Sequence, residues 1–222
     1  CNEAAIKTVR NDKEKIDLVE MNNAIDYILV GSKRESSKLD SLDKKTVAYH
    51  ESGHAFMSYI QNEVESPCKI SIIPTTKGAL GFSMSNNKEK KLQSKNELYQ
   101  RMAVMLGGRV SESIFMNDIT TGASDDLDKL RKLARLYISY YGMSDKFRNM
   151  NVSDEDLSDK TKQIIDTEIQ NLVNDVENYV HEVLNSNRDS VHKLAKVLLK
   201  KEELTGVELK RVLGKNLECS YK

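Results

Sequence analysis

Proline is nearly absent from this chain, and its absence limits the possible fold more than any other feature. The 222 residues include two prolines, Pro67 and Pro74, which lie seven positions apart. Proline disrupts helix interiors because it lacks a backbone N–H and its ring clashes with the preceding turn. The long proline-free stretches, rich in Leu, Lys, Glu and Asp, therefore predict a mainly α-helical protein with one small irregular or β region around the two prolines.

Capping residues indicate where several helices begin. The segments DLVE (17–20), SKNE (94–97) and TGVE (205–208) each place an N-cap oxygen three residues before a glutamate. Together with apolar residues at spacings of three and four, these signals locate the helices. The predicted helices are 2–10, 18–31, 42–62, 95–116, 124–141, 158–185, 189–201 and 206–213. The longest has one apolar face, and we interpret it as a packing helix without chemistry.

The β region consists of KISIIP (69–74) and ALGFSM (79–84), joined by the turn TTKG. Alternation in the first segment predicts a half-buried strand with Ile70 and Ile72 on the same face. Pro74 cannot donate to a sheet, so this strand should end there or lie at a sheet edge.

Composition excludes several classes of function. The 34 basic and 34 acidic residues cancel, so no nucleic-acid-binding surface is indicated. Three cysteines without a C-x-x-C pair argue against a disulfide framework and against a cysteine zinc site. No apolar run approaches the roughly 20 residues of a membrane span, and no phosphate-binding G-x-x-x-x-G-K-[ST] loop is present. Because the chain begins at Cys1, we expect it to be part of a longer protein.

The segment VAYHESGHAF (47–56) carries the strongest chemical signal. On a helix, His50 and His54 lie on one face with Cβ atoms about 5–6 Å apart, so both imidazoles can bind one zinc ion. Glu51 lies about 100° around the helix, where its carboxylate can take a proton from zinc-bound water. Gly53 costs about 1 kcal/mol in a helix interior and predicts that another backbone passes close by.

The third zinc ligand is left open by the residue pattern. Ser124 is the expected N-cap of the helix that follows TTGA, so Asp125 and Asp126 would both fall in its first turn. The helix dipole there favours an ionised carboxylate, the form that a metal needs. Glu112 is a rival ligand, or a partner that orients one of the histidines.

The remaining histidines are His181 and His192. Both lie far along the chain from the H-E-x-x-H segment. We interpret each as a solvated helix residue.

Five segments together resemble the FtsH/AAA-type membrane-bound, ATP-dependent zinc metalloproteases. They occur in family order over about residues 45–146, and jointly they are far more specific than H-E-x-x-H alone. The segments are VAYHESGHAF, KISIIP with TTKGALGFSM, MLGGRVSE, TTGASDDL and YGMSDK.

The resemblance implies a ligand set and a mechanism. Zinc would be held by His50, His54 and Asp126, the aspartate at the G-A-x-x-D position. Glu51 would be the catalytic base, and Glu112 would have a supporting role. The implied fold is a mainly α, helical zinc-peptidase domain with a small β-sheet at the active site.

The β region would then contact the substrate. An edge strand near the metal can pair with an extended polypeptide through backbone hydrogen bonds, with little sequence preference. We expect Ile72, Leu80 and Gly81 to lie nearest the substrate backbone. Such a site suits the degradation of unfolded or membrane-associated polypeptides.

The resemblance also implies a larger assembly. Residues 1–33 would be the C-terminal end of an AAA ATPase lid domain, and 34–222 the peptidase domain, joined by the polar segment 34–41. The whole protein would use ATP, carry a membrane anchor and form a homo-hexamer that does not bind nucleic acid. The spacing after GMSDK is closest to mitochondrial i-AAA members. We therefore expect an organelle inner membrane, most simply the mitochondrial one, with plastid and bacterial plasma membranes as alternatives.

Two departures from the family pattern stand out. PTTKG lacks the arginine of the usual P-R-G, and GMSDKFR replaces the usual K-L-G. Neither change touches a proposed ligand.

Two other functions are compatible with parts of the sequence. A non-catalytic, hexamer-forming assembly module with a structural metal would need a closed site with four ligands. A stand-alone metallopeptidase that trims short peptides would not need the lid-like N-terminus. The first of these leaves Glu51 without a purpose.

Overall fold

The computed structural model describes residues 1–32, 40–76, 78–85, 92–152 and 157–214. Within these ranges the fold is mainly α, as predicted, with a small antiparallel sheet. The helices are α1 (Asn2–Arg10), α2 (Leu18–Val30), α3 (Ser41–Ile60), α4 (Lys95–Met116), α5 (Ser124–Arg135), α6 (Asp159–Ser186), α7 (Arg188–Lys201) and α8 (Gly206–Leu213). No helix in the described ranges combines the length and apolar character needed to cross a bilayer.

Side-chain caps explain where several of these helices begin. The side chains of Asp17, Ser94 and Thr205 each accept a hydrogen bond from the backbone N–H three residues on, as predicted. The prediction for Ser124 is wrong. A 3₁₀ turn, Thr121–Ala123, leads directly into α5, so Ser124 is already helical and Thr120 is the residue whose side chain caps the turn.

Helix α3 forms the centre of the molecule. It is buried all round from Ala48 to Ser58, because α4 and α7 pack on it and strands β1 and β2 approach it. The large side chains Phe56 and Met57 are fully buried, which stabilises the fold by about 1.5–3 kcal/mol for each side chain. The polar side chains of this stretch, among them His50 and His54, are therefore held away from solvent.

Two glycines let α3 and α4 approach closely. A Cβ atom at Gly53 would lie 2.1 Å from the carbonyl oxygen of Gly107, a separation that no alanine could occupy. The backbone contact predicted from Gly53 is therefore confirmed. It brings residues of α4 within reach of the H-E-x-x-H turn of α3.

The helix predicted to span 124–141 changes geometry in its last turns. The α-helix ends at Arg135, and Leu136–Tyr140 forms a wider turn of the π type. The N–H of Tyr141 bonds to the carbonyl of Leu136 at 2.8 Å, and the carbonyl of Ser139 accepts from Val152. This long-range bond from Val152 has no counterpart in the local sequence pattern.

The sheet contains β1 (Pro67–Ser71), β2 (Phe82–Ser85) and β3 (Glu203–Thr205), all antiparallel and in the order β2-β1-β3. The first predicted strand ends at Ser71, before Pro74, and it is central and not at an edge. The strand in ALGFSM occupies the edge position. Sequence reasoning missed β3, because three residues between two helices carry no strand signal without their partner.

Candidate metal centre

Three side chains from two helices meet at one point. His50 and His54 come from α3, and Asp126 comes from the first turn of α5. The two Nε2 atoms are 3.0 Å apart, and Oδ2 of Asp126 lies 3.4 Å from Nε2 of His50 and 3.2 Å from Nε2 of His54. In the described part of the chain, this group joins three side chains able to bind a metal ion.

The Nδ1 atom of each histidine has its own partner. Nδ1 of His54 lies 2.7 Å from the backbone carbonyl of Val104, and Nδ1 of His50 lies 2.6 Å from Oε1 of Glu112. A carbonyl and an ionised carboxylate can only accept, so both Nδ1 atoms must donate. In the neutral rings the Nε2 lone pairs are then free and face the same point, as metal binding requires.

The spacing of the three atoms suits zinc. With zinc–ligand bonds of about 2.0–2.1 Å, the ligand atoms of a tetrahedral site stand about 3.3 Å apart. The three distances of 3.0, 3.4 and 3.2 Å lie close to this value. Two imidazoles and one carboxylate also form a donor set that zinc prefers, and a fourth position remains for water or substrate.

The electrostatic environment favours a positive charge. Burial opposes the charged form of His50, but hydrogen bonds with Asp126 and Glu112 outweigh it and raise the pKa of His50 to about 10. Burial alone would raise the pKa of Asp126, but both histidines lower it more strongly. The pKa of this carboxyl therefore lies well below its ordinary value. Carboxylates that stabilise an imidazolium here would equally stabilise a bound cation.

Glu51 lies beside this group on α3 and is 6% exposed. Its burial raises the pKa of the carboxyl above the ordinary value, so it binds a proton more readily than a solvated glutamate does. Gly81 lies against it: a Cβ atom there would be 2.8 Å from Cγ and from Oε1 of Glu51. Residue 81 directly precedes the edge strand β2.

The structure distinguishes between the candidate carboxylates. Asp126 faces the histidines, whereas Asp125 pairs with Lys129 at 2.6 Å and has a side chain 78% exposed. Glu112 is 1% exposed, and its second oxygen accepts the N–H of Thr120 at 2.7 Å. Because both oxygens of Glu112 have partners, its place is behind His50 and not in the ligand group.

The three predicted substrate-contacting residues differ in their surroundings. The side chain of Ile72 is 2% exposed in the core, and its N–H bonds to the carbonyl of Glu202, so that side chain is not accessible to a substrate. Leu80 is 45% exposed, and Gly81 touches Glu51. Leu80 and Gly81 therefore remain the candidates, next to the edge of the sheet.

Sequence reasoning missed two features around the site. A Cβ atom at Gly108 would lie 2.4 to 2.7 Å from atoms of both histidine rings, so this glycine leaves room for the imidazoles.

His192 was interpreted as solvated, but it is only partly exposed. Its Nδ1 is 2.5 Å from the hydroxyl of Tyr49, and the two rings stack. His181 lies on α6 and is not one of the three residues of the group. For Gly108, the sequence signal that could have indicated this close approach is the glycine pair in MLGGRVSE.

Comparisons with known proteins show what this chain is similar to. The model of "Peptidase family M41" matches residues 37–212. An "ATP-dependent zinc metalloprotease FtsH" of Slackia heliotrinireducens is 35% identical over 96% of this chain, which covers 29% of that protein. "ATP-dependent zinc metalloprotease FTSH 8, mitochondrial" of Oryza sativa subsp. japonica is 33% identical over 96% of this chain and 27% of its own length. The "Mitochondrial inner membrane m-AAA protease component YTA10" of Saccharomyces cerevisiae is 34% identical over 96% of this chain and 29% of its own length. The chain thus spans less than a third of these relatives.

Proposed function

The chain belongs to peptidase family M41, and we infer from this and from the site that it is a zinc endopeptidase unit, the peptidase portion of an ATP-dependent protease. The observation that carries the proposal is the convergence of Nε2 of His50, Nε2 of His54 and Oδ2 of Asp126 beside the buried carboxyl of Glu51. His50, His54 and Asp126 would hold the ion. Zinc, when bound, supplies a Lewis acid that polarises a carbonyl group and acidifies water.

The chain's own residues would move the protons. Glu51 takes a proton from the water that attacks the carbonyl carbon of the scissile peptide bond. The same carboxyl then gives that proton to the amine nitrogen as the C–N bond breaks. Its raised pKa suits this double role, because the carboxyl must hold the proton between the two steps. Glu112 would keep the ring of His50 in the orientation and tautomer that binding needs.

The substrates that this site suits best are extended polypeptides. Strand β2 is at the edge of the sheet, and Gly81, directly before it, lies against Glu51. A peptide that pairs with this edge would bring successive carbonyl groups past the catalytic carboxyl, mainly through backbone hydrogen bonds. We therefore propose unfolded polypeptides, with Leu80 and Gly81 as the contact residues.

Three variants test this function. Glu51→Gln should keep about one zinc per chain, as wild type does, but lose casein cleavage, because an amide cannot take the proton. Asp126→Asn should lose zinc as well as activity, whereas the exposed neighbour Asp125→Asn should retain both. Metal analysis and a casein assay on the same preparations decide the matter. An active Glu51→Gln protein would overturn the mechanism.

The role of the whole protein is a further proposal. We propose that residues 1–33 end an AAA lid domain, that 34–222 form the peptidase domain, and that the longer protein is a membrane-anchored homo-hexamer driven by ATP. In support, the family match begins at residue 37, and relatives are named as ATP-dependent or mitochondrial inner membrane proteases. The proposed boundary and most of the joint, 34–41, fall on residues 33–39, outside the described ranges.

The membrane that would anchor the longer protein is a separate proposal. The relatives named above come from a bacterium, a plant mitochondrion and the yeast mitochondrial inner membrane. The preference for a mitochondrial inner membrane, and for i-AAA members within it, stays a prediction. Fractionation of cells that express the tagged full-length protein tests it; recovery with bacterial plasma membrane or plastid membranes would contradict it.

A further inference from the structure

Helix α2 is bonded to the central strand of the sheet. Nζ of Lys69 on β1 forms an ion pair with Oδ2 of Asp26 on α2, and it lies 3.4 Å from Oε1 of Glu203 on β3. The side chains of Lys69 and Asp26 are 23% and 16% exposed. Burial alone would lower the pKa of Lys69, but Asp26 and Glu203 raise it above its ordinary value, so the lysine is held as a cation between them.

A second contact joins Ser32, which lies just after α2, to the turn that leads into the site. We call residues 72–76 and 78–81 the site turn. The N–H of Thr76 donates to the carbonyl of Ser32 at 2.9 Å, and the N–H of Ser32 donates to Oγ1 of Thr76 at 3.0 Å. This reciprocal pair fixes Thr76 relative to residues that follow α2 directly.

The site turn connects that contact to the catalytic carboxyl. The N–H of Thr75 donates to the carbonyl of Ala79 at 2.8 Å, which closes the turn. Two residues later, Gly81 lies between Glu51 and the carbonyl of Ser71, with no room for a Cβ atom on either side. A shift of Thr76 would therefore displace Gly81 and the adjacent edge of the sheet relative to Glu51.

Asp26 and Ser32 lie outside the stretch that matches the peptidase family, which begins at residue 37. We propose that the segment 1–32 positions the site turn through the Asp26–Lys69 and Ser32–Thr76 contacts, so that Asp26 and Thr76 are positioning residues for substrate binding next to Glu51. This inference rests on the proposed function, because it takes Glu51 as the catalytic carboxyl. The peptide-binding edge is then sensitive to the position of a helix that is not part of the peptidase match.

Hydrogen exchange of the 222-residue protein tests the proposal independently of activity. Thr76→Val keeps the shape of the side chain but removes the acceptor for Ser32, whereas Thr76→Ser retains it. Asp26→Asn removes the charge that faces Lys69. Glu168→Gln is the matched control, because it breaks an ion pair with Lys146 that involves neither α2 nor the site turn.

We expect exchange at the amides of Thr75 and Thr76 to become about fivefold faster in Thr76→Val and in Asp26→Asn, the effect of losing one hydrogen bond of ordinary strength. Thr76→Ser and Glu168→Gln should exchange like wild type. With zinc content unchanged, KM for an extended peptide should rise about three- to tenfold in the first two variants.

Three outcomes would overturn the proposal. The first is an exchange rate that stays unchanged in either Thr76→Val or Asp26→Asn. The second is an exchange rate in Thr76→Ser that rises as much as in Thr76→Val. The third is faster exchange in the two variants with no change in KM. A wild-type protein that binds no zinc or cleaves no peptide would instead refute the proposed function, and the exchange rates would still report whether α2 holds the turn.

Discussion

Gly108 lies directly against His54, such that a Cβ atom at position 108 would stand 2.4 Å from Nε2 of the imidazole. The same atom would be 2.6 and 2.7 Å from Cε1 and Nε2 of His50. The Nε2 atoms of both histidines, which face the candidate metal position, therefore pack against one glycine of α4. The α4 backbone thus forms one wall of the candidate zinc site.

Gly108→Ala should lower the affinity for zinc about ten- to hundredfold, because the methyl group must push both imidazoles out of alignment. The measurement is competition with a zinc chelator. Helix propensity alone predicts the opposite for stability, since alanine is favoured over glycine in a helix by about 1 kcal/mol. A variant that is more stable than wild type and binds zinc equally well would refute the contact.

Gly81→Ala should separate catalysis from metal binding. The added methyl group would collide with Cγ and Oε1 of Glu51, so the carboxyl must move while the three ligands stay. We expect kcat to fall about tenfold to a hundredfold with about one zinc per chain retained. Ser83→Ala, two positions further along, serves as control and should cleave peptides normally. Loss of zinc in Gly81→Ala would contradict this prediction, because the metal ligands and not the Glu51 carboxyl would then have moved.

Glu112→Gln should weaken zinc binding about tenfold or more. The carboxylate accepts two N–H groups, from His50 at 2.6 Å and from the backbone of Thr120 at 2.7 Å. A glutamine side chain has one acceptor oxygen, so one of these buried donors loses its partner. Zinc affinity measured across a chelator series checks this, with the exposed Asp118→Asn as a comparison. Equal affinities in wild type and Glu112→Gln would rule out the supporting role.

Gly53→Ala should destabilise the whole fold. Its Cβ would stand 2.1 Å from the carbonyl oxygen of Gly107 and 2.6 Å from Cβ of Ser111, so α3 and α4 would have to separate. Overpacking of this kind costs about 1–3 kcal/mol, and a clash with backbone lies at the upper end. Urea unfolding followed by circular dichroism measures the change. An unfolding free energy within 0.5 kcal/mol of wild type, about the spread of neutral surface changes, would contradict the close crossing.

The start of α8 should show a defined acid sensitivity. The Glu208 carboxylate accepts from Lys201 and from the N–H of Thr205, which together lower its pKa to about 2. A lowered folded-state pKa stabilises the protein above the ordinary value near 4.5, and this contribution is lost as the pH falls from there toward 2. Because these groups are partly exposed, we expect about 0.5–1 kcal/mol at neutral pH. The difference in unfolding free energy between wild type and Glu208→Gln should therefore shrink between pH 5 and pH 2. A constant difference over that range would contradict it.

Local features of the sequence predicted most of the helix starts. The caps at Asp17, Ser94 and Thr205 were predicted correctly, because a capping side chain bonds to a backbone group only three residues away. The cap at Ser124 was not, since a 3₁₀ turn before α5 moves the helix start. Strand β3 and the wide turn after Arg135 depend on partners far along the chain, and no short-range pattern reports them.

The sequence by itself determined the helical framework and the shared face of His50 and His54, because both follow from a periodicity of 3.6 residues per turn. It also predicted a close backbone contact at Gly53, which the structure confirms. The residue pattern left Asp125, Asp126 and Glu112 open as ligands, and only the resemblance to a protease family implied Asp126. The tertiary structure shows which atoms meet at the site: the Glu112 carboxylate lies behind His50, 62 positions away, Asp126 faces the imidazoles while Asp125 faces solvent, and Gly81 lies against Glu51. These contacts are set by how α4, α5 and the sheet pack on α3, and the spacing of residues along a chain does not specify packing between elements that are distant in sequence.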